Sequence, residues 1–334
     1  MIPTKIIHVG FGKTATTTLQ LSILPKIADR FGLEYIEVSD SRIRLHASRL
    51  NLCKEVTHPL NAAASFIMSA EDLHSWDPFF WEEWADKNQQ FFGRECHVLI
   101  TIREPRSYLT SCYVQMCLHE GNVQSANDLF LNKELYSPYI ASAKFAIDDF
   151  SYERIIDIYR SRFDKLTVVK FESMGDMSFW NEFFTLSETE LSECQNLFAA
   201  EKINRSYSQR AIKLTFAMQK KLNYLGLSLD ASSVRSSLVC LKAFRESLQG
   251  RIPDMDQNAP SSRNITEKLV AKIAGFFRWS NLMRRLDLYF PYHKFSLDFE
   301  DLPQIDIKKL MDEYERLPKL KTFQNKVESY KTVT

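Results

Sequence analysis

The stretch Ile6-Ile7-His8-Val9-Gly10-Phe11-Gly12-Lys13-Thr14-Ala15-Thr16-Thr17-Thr18-Leu19-Gln20 restricts the fold of this chain more than any other. An apolar, β-rich run enters a glycine-bearing turn, and one lysine and a row of hydroxyls lead into a helix start. Strand, turn and helix in that order gather unpaired backbone N–H groups and the positive end of a helix dipole at one point. Lys13 adds a full charge there, and the threonines can cap the helix or donate to anionic oxygens. Gly12, Lys13, Thr14, Ala15, Thr16, Thr17 and Thr18 are therefore expected to hold a phosphate or sulfate. The alternative is an ordinary strand–turn–helix with a threonine cap.

Gly12-Lys13-Thr14 also fits the end of a Walker A loop, Gly-x4-Gly-Lys-Ser/Thr. The first glycine of that motif falls on Ile7, so the residue that lets such a loop wrap a β-phosphate is missing. A second segment separates the possibilities. His97-Val98-Leu99-Ile100-Thr101-Ile102 has the pattern of a buried strand, and Arg103-Glu104-Pro105-Arg106-Ser107-Tyr108-Leu109-Thr110-Ser111 follows it. Pro105 suits the first residue of a helix. Arg103 then precedes the helix and Ser111 sits two turns into it. A guanidinium and a hydroxyl converging there make a phosphate clamp. A salt-bridged arginine and a routine helix serine are the alternative.

Taken together, the two segments resemble the sulfotransferases that use 3′-phosphoadenylyl sulfate (PAPS). Lys13-Thr14-Ala15-Thr16-Thr17-Thr18-Leu19-Gln20 is similar to the Lys-Thr-Gly-Thr-Thr-x-Leu-Gln run of their 5′-phosphosulfate loop, with Ala15 where glycine is usual. Alanine matters there only if the position needs a positive φ. Residues 103–111 are similar to their 3′-phosphate motif, a strand ending in Arg-x-Pro with a serine eight residues after the arginine.

The rest of the chain is read as α/β. Leu19, Ile23, Ile27 and Phe31 form a helical stripe that Pro25 kinks or divides. Strand patterns at 35–38, 65–68, 98–102 and 166–171 alternate with helical ones at 107–119, 138–163 and 179–184. That alternation predicts a parallel sheet flanked by helices, with ligands at the carboxyl ends of the strands, where both motifs fall. Residues 1–210 are expected to form this core, which the resemblance makes P-loop-like, and 211–334 a mostly helical extension. A chain of 334 residues, 45% hydrophobic, can bury a core of that size,. Basic and acidic side chains nearly cancel, 43 against 42, so no nucleic-acid partner is expected. Six cysteines, at 53, 96, 112, 117, 194 and 240, lack Cys-x-x-Cys spacing and are read as reduced thiols. The N-terminus enters a strand at once, and no apolar run reaches ~18 residues. Neither a signal peptide nor a membrane span is expected, and the location is expected to be cytoplasmic.

Sulfuryl transfer needs a base for the acceptor's proton. Between Ser65 and His74 a strand runs into an acidic cluster, and Glu71 falls at its carboxyl end. In related sulfotransferases the base, a glutamate or histidine, can sit just past the corresponding strand. Glu71 is thus the first choice and His74 the alternative. Glu71 can equally be a helix N-terminal acid behind a Ser69 cap, and His74 a core or exposed histidine. Asn204-Arg205-Ser206-Tyr207-Ser208 resembles an Asn-x-Ser-x-Ser run of many bacterial-type sulfotransferases, which implies nucleotide contacts from Arg205 and Ser206. Ser206 or Ser208 as a helix cap is the other reading. Residues 276–290 mix aromatics with arginines. They suit an acceptor cleft, a peripheral contact with an anionic lipid surface, or a buried amphipathic helix.

The resemblance covers residues 4–210. It implies PAPS as donor, adenosine 3′,5′-bisphosphate as product, no catalytic metal, and in-line transfer to an acceptor hydroxyl. The acceptor is read as a small molecule, saccharide or glycolipid. Lys13 and the loop amides would stabilise charge developing at the phosphate–sulfate bridge, Arg103 and Ser111 would hold the 3′-phosphate, and Glu71 would take the acceptor's proton. A P-loop kinase of small molecules and a non-catalytic nucleotide- or saccharide-binding protein are the rival functions.

Overall fold

The computed structural model describes residues 4–51, 54–56, 59–60, 65–118, 125–131, 147–200, 207–224 and 283–324, except residues 12, 13, 15, 76, 284 and 286. The strands among them are β1 (Lys5–Gly10), β2 (Glu34–Ile36), β3 (Phe66–Ser69), β4 (His97–Ile102), β5 (Lys165–Lys170) and β6 (Leu320–Gln324). They form one sheet in the order β2-β3-β1-β4-β5-β6. β1 to β5 pair in parallel and β6 runs antiparallel to β5. The sheet is the expected α/β one. β1, β3 and β4 are buried along their whole length, which is why they read as near-continuous apolar runs. Lys5, a buried exception, pairs its ammonium with Glu95.

Residues 16–31 show the division expected at Pro25. A single turn, α1 (Thr16–Thr18), passes into a π-helical stretch, Leu19–Ile23, and then α2 (Leu24–Phe31), with Pro25 in its first turn. Pro25 has no N–H to give to the preceding turn, and the wider π turn absorbs the mismatch. α2 ends at Gly32, whose φ of 63° is the left-handed conformation that favours glycine,. The further helices are α3 (Ser41–Asn51), α4 (Trp81–Phe92), α5 (Pro105–Leu118), α6 (Ala126–Leu131), α7 (Tyr152–Arg162), α8 (Glu188–Ala200), α9 (Gln209–Tyr224) and α10 (Ile307–Arg316). The pattern read as helical at 179–184 is a 3-10 turn, Ser178–Glu182.

One sheet face presents Ile6, Ile67, Leu99 and Val169 to Leu19, Ile23, Leu24 and Ile27 and to Phe179 and Trp180. The other meets α4, where the rings of Phe92 and Phe66 lie 6.5 Å apart. The chain divides into two compact units, residues 1–109, 126–205 and 298–334 in the first and residues 110–125 and 206–297 in the second. The sequence places 211–334 in a helical extension, whereas α10 and β6 fall in the first unit. Leu320-Lys321-Thr322-Phe323-Gln324 is short and mostly polar, so it carries little strand signal. Its pairing with β5 gives that edge a partner,. In the second unit Ser208 caps α9, accepting from the Ala211 N–H at 3.1 Å. Val114, Tyr207, Ala211, Ile212 and Met283 form a cluster there. Within 276–290, Met283 is buried while Leu288 and Tyr289 are exposed. Residues 276–282 lie outside the described residues.

Candidate functional site

β1 and β4 are neighbours, with Gly10 opposite Thr101. The chain leaves β1 for β2 and leaves β4 for β5, and those strands lie on opposite sides of the pair. Where the connections of two parallel strands part in this way, a crevice opens at their carboxyl ends. The turn that begins at Phe11 follows one strand, and Arg103 follows the other. α1 starts very close to the end of β1. A Cβ on Gly10 would lie 2.4 Å from Thr16 Cγ2 and 3.0 Å from His8 Cε1, so the approach needs glycine. Phe11 is held edge-on by Tyr108 at 5.3 Å, Trp81 at 5.7 Å and Tyr152 at 5.8 Å between ring centroids. Such edge-to-face contacts favour one ring orientation.

Thr14, Thr16 and Thr18 are buried and Thr17 is half-buried. The Thr14 hydroxyl donates to the Phe11 carbonyl at 2.5 Å and lies 2.6 Å from Thr101 Oγ1. It is spent inside the turn, so a contact from Thr14 to an anion would have to come from its backbone. Beneath it, His8 lies between Ser69 Oγ at 2.7 Å and Thr101 Oγ1 at 3.2 Å. Gln20, from the π turn, reaches Ser69 Oγ at 3.2 Å. Burial lowers the His8 pKa to about 3, because a charged ring has no water there. Gly12, Lys13, Ala15, Arg205 and Ser206 lie outside the described residues.

Arg103 is half-buried at the end of β4. Its carbonyl accepts from the Tyr152 hydroxyl, and its guanidinium carbon lies 4.9 Å from the centre of the Phe171 ring. Glu172 accepts from the Glu104 N–H at 3.1 Å and from the Tyr314 hydroxyl. Burial, helped by that carboxylate, pushes the Tyr314 phenol well above its usual range. The segment Lys170-Phe171-Glu172-Ser173 thus buttresses the Arg103 corner. α5 begins at Pro105, and the Glu104 carboxylate accepts from the N–H groups of Arg106 at 3.1 Å and Ser107 at 2.7 Å. Since Glu104 already caps this helix, an anion at the corner would be met by the Arg103 guanidinium and not by helix N–H groups. Ser111 is half-buried on α5 and belongs to the second unit.

Glu71 is half-buried two residues beyond β3 and opens a one-turn 3-10 helix, Glu71–Leu73. Ala70, not Ser69, occupies the N-cap, and no side chain caps the turn. Ser69 does not serve as the cap because its hydroxyl is turned to His8 and Gln20. His74 follows the turn and is buried, its ring 4.3 Å from that of Phe11 and 5.4 Å from that of Trp81. Burial lowers its pKa to about 3.

Thr14 and the start of α1 after β1, and Arg103 after β4, thus follow the carboxyl ends of two neighbouring strands. Among the described residues, no group of three or more His, Cys, Asp or Glu could hold a metal ion. No described helix is long and apolar enough to cross a membrane. Cys96, Cys112 and Cys194 are buried free thiols. Sequence reasoning passed over His8, Gln20, Ser69 and Thr101 as site residues. The signal lay in His8, Ser69 and Thr101, polar interruptions of apolar central strands, because a buried polar side chain requires a partner.

No protein-family model matches the sequence, and no curated protein is similar to it at a significant level. Among solved structures, a sulfotransferase from Alicyclobacillus acidocaldarius is similar over 60% of this chain and 93% of its own, with 12% sequence identity and a TM-score of 0.33. At that score the similarity says nothing about chemistry. The fold class rests on the sheet itself, mostly parallel and flanked by helices.

Proposed function

We propose that the protein is a sulfotransferase that moves a sulfuryl group from PAPS to an acceptor hydroxyl on a small molecule, saccharide or glycolipid. The observation that carries this is the switch point between the neighbouring strands β1 and β4, with the threonine-rich segment following one strand and Arg103 following the other. Anion donors on both sides of one switch point suit a nucleotide that is anionic at both ends. In this reading Arg103 and Ser111 hold the 3′-phosphate of the donor. Lys13 and the amides of residues 12–18 hold its 5′-phosphosulfate, with Arg205 and Ser206 as further contacts. Bound PAPS supplies the sulfuryl group and its phosphate leaving group. Lys13 counters the charge that grows on that phosphate, so its effect belongs to turnover more than to binding. Glu71, past the strand on the other side of β1, takes the acceptor's proton. A cytoplasmic location is part of the same proposal.

A thermal-shift comparison tests it. Adenosine 3′,5′-bisphosphate at about 100 times its Kd should add about 2.7 kcal/mol of stability, because it binds only the folded chain. ATP with magnesium should add much less, and Arg103→Ala should remove most of the bisphosphate effect. Equal or greater stabilisation by ATP would favour the kinase. Bisphosphate binding without transfer from radiolabelled PAPS, across a panel of hydroxylated acceptors, would favour a non-catalytic binder.

A further inference from the structure

The side chains beneath the turn after β1 form a chain of hydrogen bonds with one consistent proton order. Gln20 Nε2 lies 3.1 Å from the Ser69 carbonyl oxygen and 3.2 Å from Ser69 Oγ. A carbonyl only accepts, so the amide nitrogen is the donor at this end. Ser69 Oγ is 2.7 Å from His8 Nδ1, and His8 Nε2 is 3.2 Å from Thr101 Oγ1. Thr101 Oγ1 is 2.6 Å from Thr14 Oγ1, which is 2.5 Å from the Phe11 carbonyl oxygen. That last oxygen also only accepts, so it takes the single proton of Thr14. Thr101 must then donate to Thr14 and accept from His8 Nε2–H. His8 Nδ1, left as an acceptor, receives the Ser69 proton. A proton on Nδ1 instead would turn Thr101 towards Nε2. Thr14 would then have one proton for two contacts at 2.5 and 2.6 Å.

We propose that His8 is a positioning residue, a neutral Nε2–H imidazole that ties β3, β1 and β4 to the turn after β1 and holds the Thr14 corner of that turn in place. Its effect on the transfer rests on the proposed function; the tether itself does not. His8, Ser69, Thr101 and Thr14 are all fully buried, so a broken link strands polar groups with no water to replace the partner. Burial also favours the neutral ring, whose pKa is held down to about 3.

Two measurements on the full chain test the tether without nucleotide. Nitrogen NMR of histidine-labelled protein, with His8 assigned by loss of its signals in His8→Gln, should show the Nε2–H tautomer unchanged from about pH 8 to about pH 6. Thr101→Val keeps the shape and removes the hydroxyl, so amide exchange in the peptide spanning the turn should quicken about tenfold, while Thr101→Ser stays near wild type. Affinity for adenosine 3′,5′-bisphosphate should follow the same pattern. A proton on Nδ1, a ring that titrates near its ordinary value, or equal exchange in the valine and serine variants overturns the tether. Should Thr101→Val fail to fold, Thr14→Val against Thr14→Ser gives the same comparison at the turn. Absence of bisphosphate binding to the wild type would count against the sulfotransferase and leave the tether to be judged by tautomer and exchange.

Discussion

Glu71 and His74 are three residues apart and occupy different surroundings. Glu71 keeps part of its surface at the end of β3, while the ring of His74 is packed against Phe11 and Trp81. His74 Nε2 has no hydrogen-bond partner among the described residues. A ring whose pKa burial has lowered to about 3 is a poor proton acceptor. We expect Glu71→Gln to lower sulfuryl transfer by roughly 10²–10⁴-fold, the usual reach of general-base catalysis, with bisphosphate affinity unchanged. His74→Asn should instead cost about 1–3 kcal/mol in folding, read by denaturant titration, with kcat per folded molecule retained. If His74→Asn abolishes transfer and Glu71→Gln is tolerated, the two roles are exchanged. The sequence could place both residues after a strand by their spacing. It could not tell which was buried, because the rings that cover His74 come from Phe11, 63 positions earlier, and from a helix that follows a separate turn.

At the scale of elements, the site depends on how closely α1 meets β1. Gly10→Ala would drive a methyl into Thr16 Cγ2, which stands 2.4 Å from the new Cβ. The expected cost is about 1–3 kcal/mol of stability, as for other overpacked sites. Thr16→Ser removes the clashing methyl, so the double variant should recover a large part of the loss in the same denaturant titration. Additive costs would show that the two do not compete for space. Glycine at this point is legible from the strand–turn–helix pattern, and so is the break at Pro25. The π turn between them is not, because both helix types share the stripe of Leu19, Ile23 and Ile27. The Arg103 corner was legible from Arg-x-Pro. Its supports were less so: Glu104 caps α5 from within the same motif, where an acid before Pro reads equally as a solvent-exposed charge, and the bond from Tyr314 to Glu172 joins positions 142 apart. β6 escaped notice for a related reason, since a short polar strand gains its identity from the edge it joins.

Across the whole molecule, His8, His46, His74 and His97 are buried, and burial lowers their pKa values to about 3, 4, 3 and 3. The unfolded chain takes up these protons near pH 6.5, and the folded chain resists them until pH 3 to 4. Stability from the neutral rings is therefore complete above about pH 6.5 and drains away as pH falls towards the folded values. At pH 5 the loss is about 2 kcal/mol for each histidine, and four such losses approach the whole of a typical domain's stability, about 5–15 kcal/mol. The melting temperature should fall steeply between pH 7 and pH 5, with proton uptake on unfolding measurable by calorimetry in buffers of different ionisation heat. A flat profile over that range would show that the rings are not held neutral. The same sheet sets a timetable for biosynthesis. Thr167 of β5 and Thr322 of β6 share a hydrogen bond at 2.9 Å across 155 positions, and residues 206–297 of the second unit are made in between. At about 5–20 residues per second, a ribosome leaves the outer edge of β5 without its neighbour for roughly 8–30 s. During that interval Lys165 and Lys170, at the two ends of β5, are the charges that discourage a second nascent chain from adding its own strand there.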